Sequence, residues 1–228
     1  MKGPMPARAD YERQLNALRE DLLELGRMTR DAVGRSVDAL RRSDAELAQS
    51  VVADDRQIDG RAHALEERAL LLLATQHPLA TDLRAIAAAL FIIGELERIG
   101  DYAEGIAKIA LMLADEPPVK PLVDIPRMAE RSTAMLDRAL VAFFQRDLPT
   151  CQEIWRQDDE VDGLYEQVYR ELLTYMLTDA STIERATRLI WAAHNLERIA
   201  DRVTNICERT AFVITGNPRE LGAPREEG

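Results

Sequence analysis

The residues of this chain whose type and spacing could do chemistry are carboxylates set four apart. Leu96-Glu97-Arg98-Ile99-Gly100-Asp101 returns one hundred residues later as Leu196-Glu197-Arg198-Ile199-Ala200-Asp201. On a helix, Glu97 and Asp101, like Glu197 and Asp201, project from one face with Cβ atoms about 5–6 Å apart. Like charges at that spacing cost roughly 0.2–0.5 kcal/mol unless something positive lies between them. A second acidic motif precedes each of these: Asp55-Arg56-Gln57-Ile58-Asp59 answers to Asp158-Asp159-Glu160-Val161-Asp162.

All-oxygen donors without cysteine suit Mg²⁺, Ca²⁺, Mn²⁺ or iron. Two such motifs on adjacent helices would make a strongly negative, partly exposed pocket. With 40 acidic residues in 228, chance alone supplies about seven acidic i,i+4 pairs, so the repeat register carries the signal rather than any single pair. Duplication copies a useless pair as readily as a useful one, so the four pairs count as two independent motifs. The structural alternative is ordinary surface pairing of Arg98 with Asp101 and Arg198 with Asp201, worth under about 1 kcal/mol. Other sites fare worse. His63, His77 and His194 occupy no repeated positions, and His194-x-x-Glu197 reverses the Glu-x-x-His order of di-iron bundles. His194 is expected to be a surface or boundary residue. No phosphate-cradling glycine loop and no serine or cysteine nucleophile setting is present. Trp155 and Trp191 fall at positions that suggest packing.

The elements that must position these groups are helices. Leu15, Leu18, Leu22, Leu25, Ala32, Val33, Val37 and Leu40 recur at three- and four-residue steps, predicting a helix from Ala9 to about Arg42. Ser43-Asp44 offers a break and a new cap, a second helix runs to about Thr75, and His77-Pro78 ends it. Thr81 is a reasonable cap for a third helix reaching about Ala114. Asp115 to Pro121 contains three prolines and reads as the linker. A fourth helix starts near Pro126 and ends near Arg146, a fifth spans about Pro149 to Leu177, and a sixth runs from the turn at Asp179–Thr182 to Thr215, where Gly216-Asn217-Pro218 stops it. No segment alternates with period two. The third and sixth helices match at an offset of 100 and the second and fifth at 103, so a three-helix unit is used twice. The expected fold is all-α, with two tandem, internally repeated three-helix bundles over residues 9–114 and 125–216, and flexible termini at 1–8 and 217–228.

Composition narrows the class. A net charge of −11 argues against a nucleic-acid partner, which favours a basic face. Two cysteines are too few for a disulfide framework and read as buried free thiols. The N-terminus has no apolar signal stretch, and the apolar run from Ala85 to Gly94 is far shorter than the ~20 residues of a membrane helix. A soluble, cytoplasmic protein is expected.

The paired Glu-Arg-Ile-(Gly/Ala)-Asp motifs, together with Asp-x-x-(Ile/Val)-Asp on the preceding helices, closely resemble the PhoU family, over about residues 10–215. Thr174-Tyr175-Met176-Leu177 and Asn205-Ile206-Cys207-Glu208 belong to the same likeness. The resemblance implies a non-enzymatic regulator of phosphate uptake and of the phosphate-starvation response, which represses signalling when phosphate is plentiful. It implies partners in the phosphate ABC transporter, through its ATPase subunit, and in the sensor histidine kinase PhoR. Such a protein docks on membrane complexes without spanning the membrane. It also implies metal ions (iron, zinc, magnesium or manganese) on Asp55, Asp59, Glu97, Asp101, Asp158, Asp162, Glu197 and Asp201. Ala200 departs from the usual glycine, and its methyl group is expected to crowd the second site. Exposed faces on long bundles make a homodimer the expected assembly. The rival is a carboxylate-bridged metalloenzyme, either a hydrolase or an iron oxidase.

Overall fold

A computed structural model describes residues 6–76, 80–217 and 221. Six long α-helices account for nearly all of them: α1 (Pro6–Arg42), α2 (Ala45–Gln76), α3 (Ala80–Leu113), α4 (Asp124–Gln145), α5 (Leu148–Thr178) and α6 (Ile183–Thr215). One 3₁₀ turn, Ala180–Thr182, leads into α6. The described residues form no strand. The all-α expectation is borne out.

Each helix forms because its apolar residues recur every three or four positions and find partners on two or three neighbouring helices. Helices α1, α2 and α3 make one bundle, and α4, α5 and α6 the other. The two join along their middles, α3 against α6 and α1 against α4, into a shared core. Leu96, Ile99 and Ile106 are fully buried on α3, as are Leu196, Ile199 and Ile206 on α6. The repeat also shows in the turns. Ser43 and Arg146 both adopt left-handed backbone, with φ of 54° and 55°. Each is followed by an aspartate whose carboxylate caps the next helix: Asp44 accepts from the Leu47 amide at 2.9 Å and Asp147 from the Thr150 amide at 3.1 Å. Gly216, with φ of 77°, closes α6 as expected.

Several boundaries differ from the sequence reading. α1 begins at Pro6, three residues before Ala9, because proline is tolerated in a first helical turn. For the same reason α4 begins at Asp124 and takes Pro126 into its first turn. Thr81 lies inside α3, which starts at Ala80. His77, Pro78 and Pro218 lie outside the described residues. In the tail, Leu221 is buried against the core. Cys151 and Cys207 are buried free thiols, as expected. Trp155 and Trp191 do not pack inside; they are 41% and 57% exposed.

The linker after α3 is tied to the second bundle. Lys120, buried to 8% side-chain exposure, pairs with Glu171 of α5, and Arg185 of α6 donates to the Pro117 carbonyl at 2.6 Å. Val119 and Leu122 pack on the core. Among the described residues no helix is long and apolar enough to cross a membrane.

Candidate metal centres

Two helices position each acidic cluster. On α2, Asp55 and Asp59 flank the buried Ile58, one turn apart; on α3, Glu97 and Asp101 flank buried Ile99 in the same way. Because α2 packs on α3, the acidic edges of both helices meet beside the core, with Asp55 half-buried and Asp59 and Asp101 exposed. Asp55, Asp59 and Asp101 each offer a carboxylate oxygen within 4.8 Å of the others. Glu97 faces the same group, close enough to feel Asp101 and Asp59, and Glu104 adds its charge from one turn further along α3.

In the second bundle, Asp158 and Asp162 of α5 face Glu197 and Asp201 of α6. All eight carboxylates singled out from sequence therefore fall into two clusters of four. Desolvation comes first in each shift and neighbouring carboxylates second. Together they push Asp55 up to about 6 and Asp158 up to about 7, and they also raise Glu97, Asp101, Asp162 and Glu197. Asp55 Oδ1 and Asp158 Oδ1 are buried without a hydrogen-bond partner. Hard cations fit such a set. It is all oxygen, it is negative, and it holds acceptor atoms that no protein donor satisfies.

The clusters are not identical. Arg198 Nη1 holds Asp201 Oδ2 at 2.9 Å, and its guanidinium lies near Tyr102 of α3. Arg98, its repeat mate, turns instead to Glu95 at 2.9 Å and leaves Asp101 without it. The surface-pair alternative thus holds in the second bundle only. Among the described residues, the second cluster does not gather three oxygens as tightly as the first. At the second cluster, too, His194 Nδ1 lies 3.3 Å from Glu197 Oε2, with the Tyr165 ring 5.9 Å from the imidazole. Tyr165 and His194 stand where the first bundle has Ala62 and Gly94. His194 is half exposed, as its expected boundary position required. The repeat itself marked these two residues, because a difference between otherwise matching copies is visible in sequence.

Gly100 is closely packed beside the first cluster. A Cβ placed on Gly100 would lie 3.1 Å from Ile58 Cγ2 and 3.5 Å from Asp55 Oδ1. In the second copy, Val161 stands in place of that isoleucine, lacking its Cδ1 but keeping both Cγ methyl groups, and Ala200 is fully buried.

This arrangement of repeated helices and paired acidic edges matches a known family. The PhoU domain model covers residues 22–110 and again 125–210. The chain belongs to the PhoU family. It is 40% identical over 216 residues to a protein of Caulobacter vibrioides named phosphate-specific transport system accessory protein PhoU homolog, with 94% of each chain covered. A Zymomonas mobilis protein of the same name is 38% identical, covering 90% of this chain and 87% of that one. Among solved structures, PhoU of Pseudomonas aeruginosa superposes with a TM-score of 0.86 at 33% identity, over 91% of this chain and all of that one. The phosphate transport system regulatory protein PhoU of Streptococcus pneumoniae gives 0.84 at 29% identity, over 91% of this chain and 98% of the other.

Proposed function

We propose that this PhoU-family protein is a non-enzymatic accessory regulator of a phosphate-specific transport system. In this reading it works at the cytoplasmic face, contacts the ATPase subunit of the phosphate ABC transporter and the sensor histidine kinase PhoR, and represses starvation signalling when phosphate is plentiful. The observation that supports it is similarity over most of the chain, in both repeats and in fold, to proteins named as PhoU or as phosphate-specific transport system accessory proteins.

The clusters at Asp55, Asp59, Glu97 and Asp101, and at Asp158, Asp162, Glu197 and Asp201, are proposed to hold metal ions of the iron, zinc, magnesium or manganese class. A bound cation would supply positive charge that satisfies the orphaned carboxylate oxygens. The carboxylates hold position on paired helices, and Arg198 already offsets part of the second cluster's charge. Long exposed helix faces support a homodimer.

Co-purification from cells grown in high and in low phosphate tests the role. Recovery of the transporter ATPase or PhoR with the protein is expected. Absence of both under both conditions overturns the reading, and clear turnover of a phosphate ester with Mn²⁺ would favour the metalloenzyme instead.

A further inference from the structure

The repeat provides an internal comparison away from the acidic clusters. Near the linker, a depression is lined by Leu40 and Ser43 from the end of α1, Leu113 from the end of α3, and Arg185 and Leu189 from the start of α6. Linker residues fill it: Val119 and Leu122 pack in, Arg185 grips the Pro117 carbonyl, and about 40 Å³ remains.

The repeat mate lies at the other end of the molecule. Phe143 and Arg146 end α4, Val213 ends α6, and Ala85 and Ala89 begin α3, each at the position matching one named above. Here Ala85 stands for Arg185 and Ala89 for Leu189, and among the described residues no linker residue lines it. The wall opposite is α1, through Leu15, Leu18 and Leu22. What remains is a cavity of about 130 Å³. That is close to the ~150 Å³ at which an apolar protein cavity stays dry and takes benzene.

Its mouth is cationic. Arg19 lies with its guanidinium 4.6 Å from the centre of the Phe144 ring, and Arg146 sits at the left-handed end of α4. Both line the cavity, and neither forms an ion pair or a side-chain hydrogen bond among the described residues. Most other arginines of this acidic chain are matched to carboxylates or carbonyls. Two unmatched guanidinium groups beside an apolar hole make a recognisable pair of demands: an apolar body and an anionic head.

We propose that this cavity binds a small amphiphilic anion, a carboxylate on an aryl or short alkyl body of about six to eight carbons. The body enters between Leu22, Ile86, Ala89 and Phe143, and the carboxylate meets Arg19 and Arg146. Guanidinium groups suit a carboxylate through paired N–H donors.

Titration calorimetry with 3-phenylpropionate, and in parallel with uncharged 3-phenylpropanol, tests this on the full chain. Saturable binding of the acid is expected. Arg19→Gln with Arg146→Gln should weaken the acid by about tenfold while leaving the alcohol within about twofold. Ala89→Leu, which installs the side chain of the repeat mate, should abolish both. Circular dichroism melting checks that each variant folds; the arginine changes lie at the mouth and decide the matter if Ala89→Leu does not. No saturable binding to the wild-type chain overturns the proposal, as does binding that survives both variants. An acid no tighter than its alcohol overturns the anionic head.

Discussion

Ile58 Cγ2 faces Gly100, and the matching positions in the second bundle are Val161 and Ala200. Gly100→Ala alone presses a methyl group on Ile58 while gaining about 1 kcal/mol of helix propensity, so the two effects oppose each other. The decisive quantity is the coupling. In a double-mutant cycle by chemical denaturation, Ile58→Ala, which removes that Cγ2 methyl group, should make Gly100→Ala more favourable by about 0.5–1.5 kcal/mol. The carboxylates make a second prediction at this scale. Asp55 and Asp158 have raised pKa values in the folded protein, so the folded state holds their protons more tightly than the unfolded chain does. Their contribution is therefore largest below the ordinary carboxylate pKa and declines as pH rises through about 6 to 7. Metal-free protein should melt lower at pH 8 than at pH 5. Solvent screening at so partly exposed a site reduces the effect, and Asp158→Asn should raise the pH 8 melting temperature by about 2–4 °C, or about 1 kcal/mol.

At the scale of the helix, the contact between α3 and α6 carries polar groups that their stripes hide. Glu95 is 1% exposed, between buried apolar neighbours on α3. It accepts from Asn205 at 3.0 Å and pairs with Arg98 at 2.9 Å and Arg202 at 3.5 Å. By repeat symmetry Asn195 stands opposite Gly105, where a Cβ would come within 2.9 Å of its amide nitrogen. Glu95→Ala leaves Arg202 half-buried without its partner and should lower stability by about 3 kcal/mol in urea unfolding. Asn205→Ala should lower it by about 1 kcal/mol. None of this was legible in the chain, because periodicity assigns Glu95 to a helix face without saying that another helix covers it. The helices themselves were legible from Leu15 to Val213, and so was the Ser43-Asp44 turn, because local chemistry decides those. The tryptophans were misjudged. Large apolar residues favour burial only on average, and the α5 and α6 faces that carry Trp155 and Trp191 have no third helix over them in this chain.

Across the whole molecule, duplication sets out two acidic clusters and then lets them drift apart in character. The eight carboxylates were readable as candidates because spacing and register are sequence properties. Arg98 and Arg198 occupy matching positions and each pairs within its own helix; Glu95, whose repeat mate is Asn195, offers Arg98 a carboxylate that Arg198 lacks. The first cluster keeps Asp101 unpaired while the second ties Asp201 to Arg198. Elemental analysis after purification without chelator should accordingly show a larger loss of metal from Asp101→Ala than from Asp201→Ala. Equal metal content in both variants and in the wild type would leave the acidic pairs as solvated decoration.

The segment joining the halves is clasped at Pro117 and at Lys120 by α6 and α5. The seam left by an ancient gene fusion is therefore no hinge, and the halves cannot swing like beads on a string. With α3 also packed on α6 and α1 on α4, the two bundles are held as one body. Limited proteolysis, which cuts where backbone can peel away, should spare the proline-rich join.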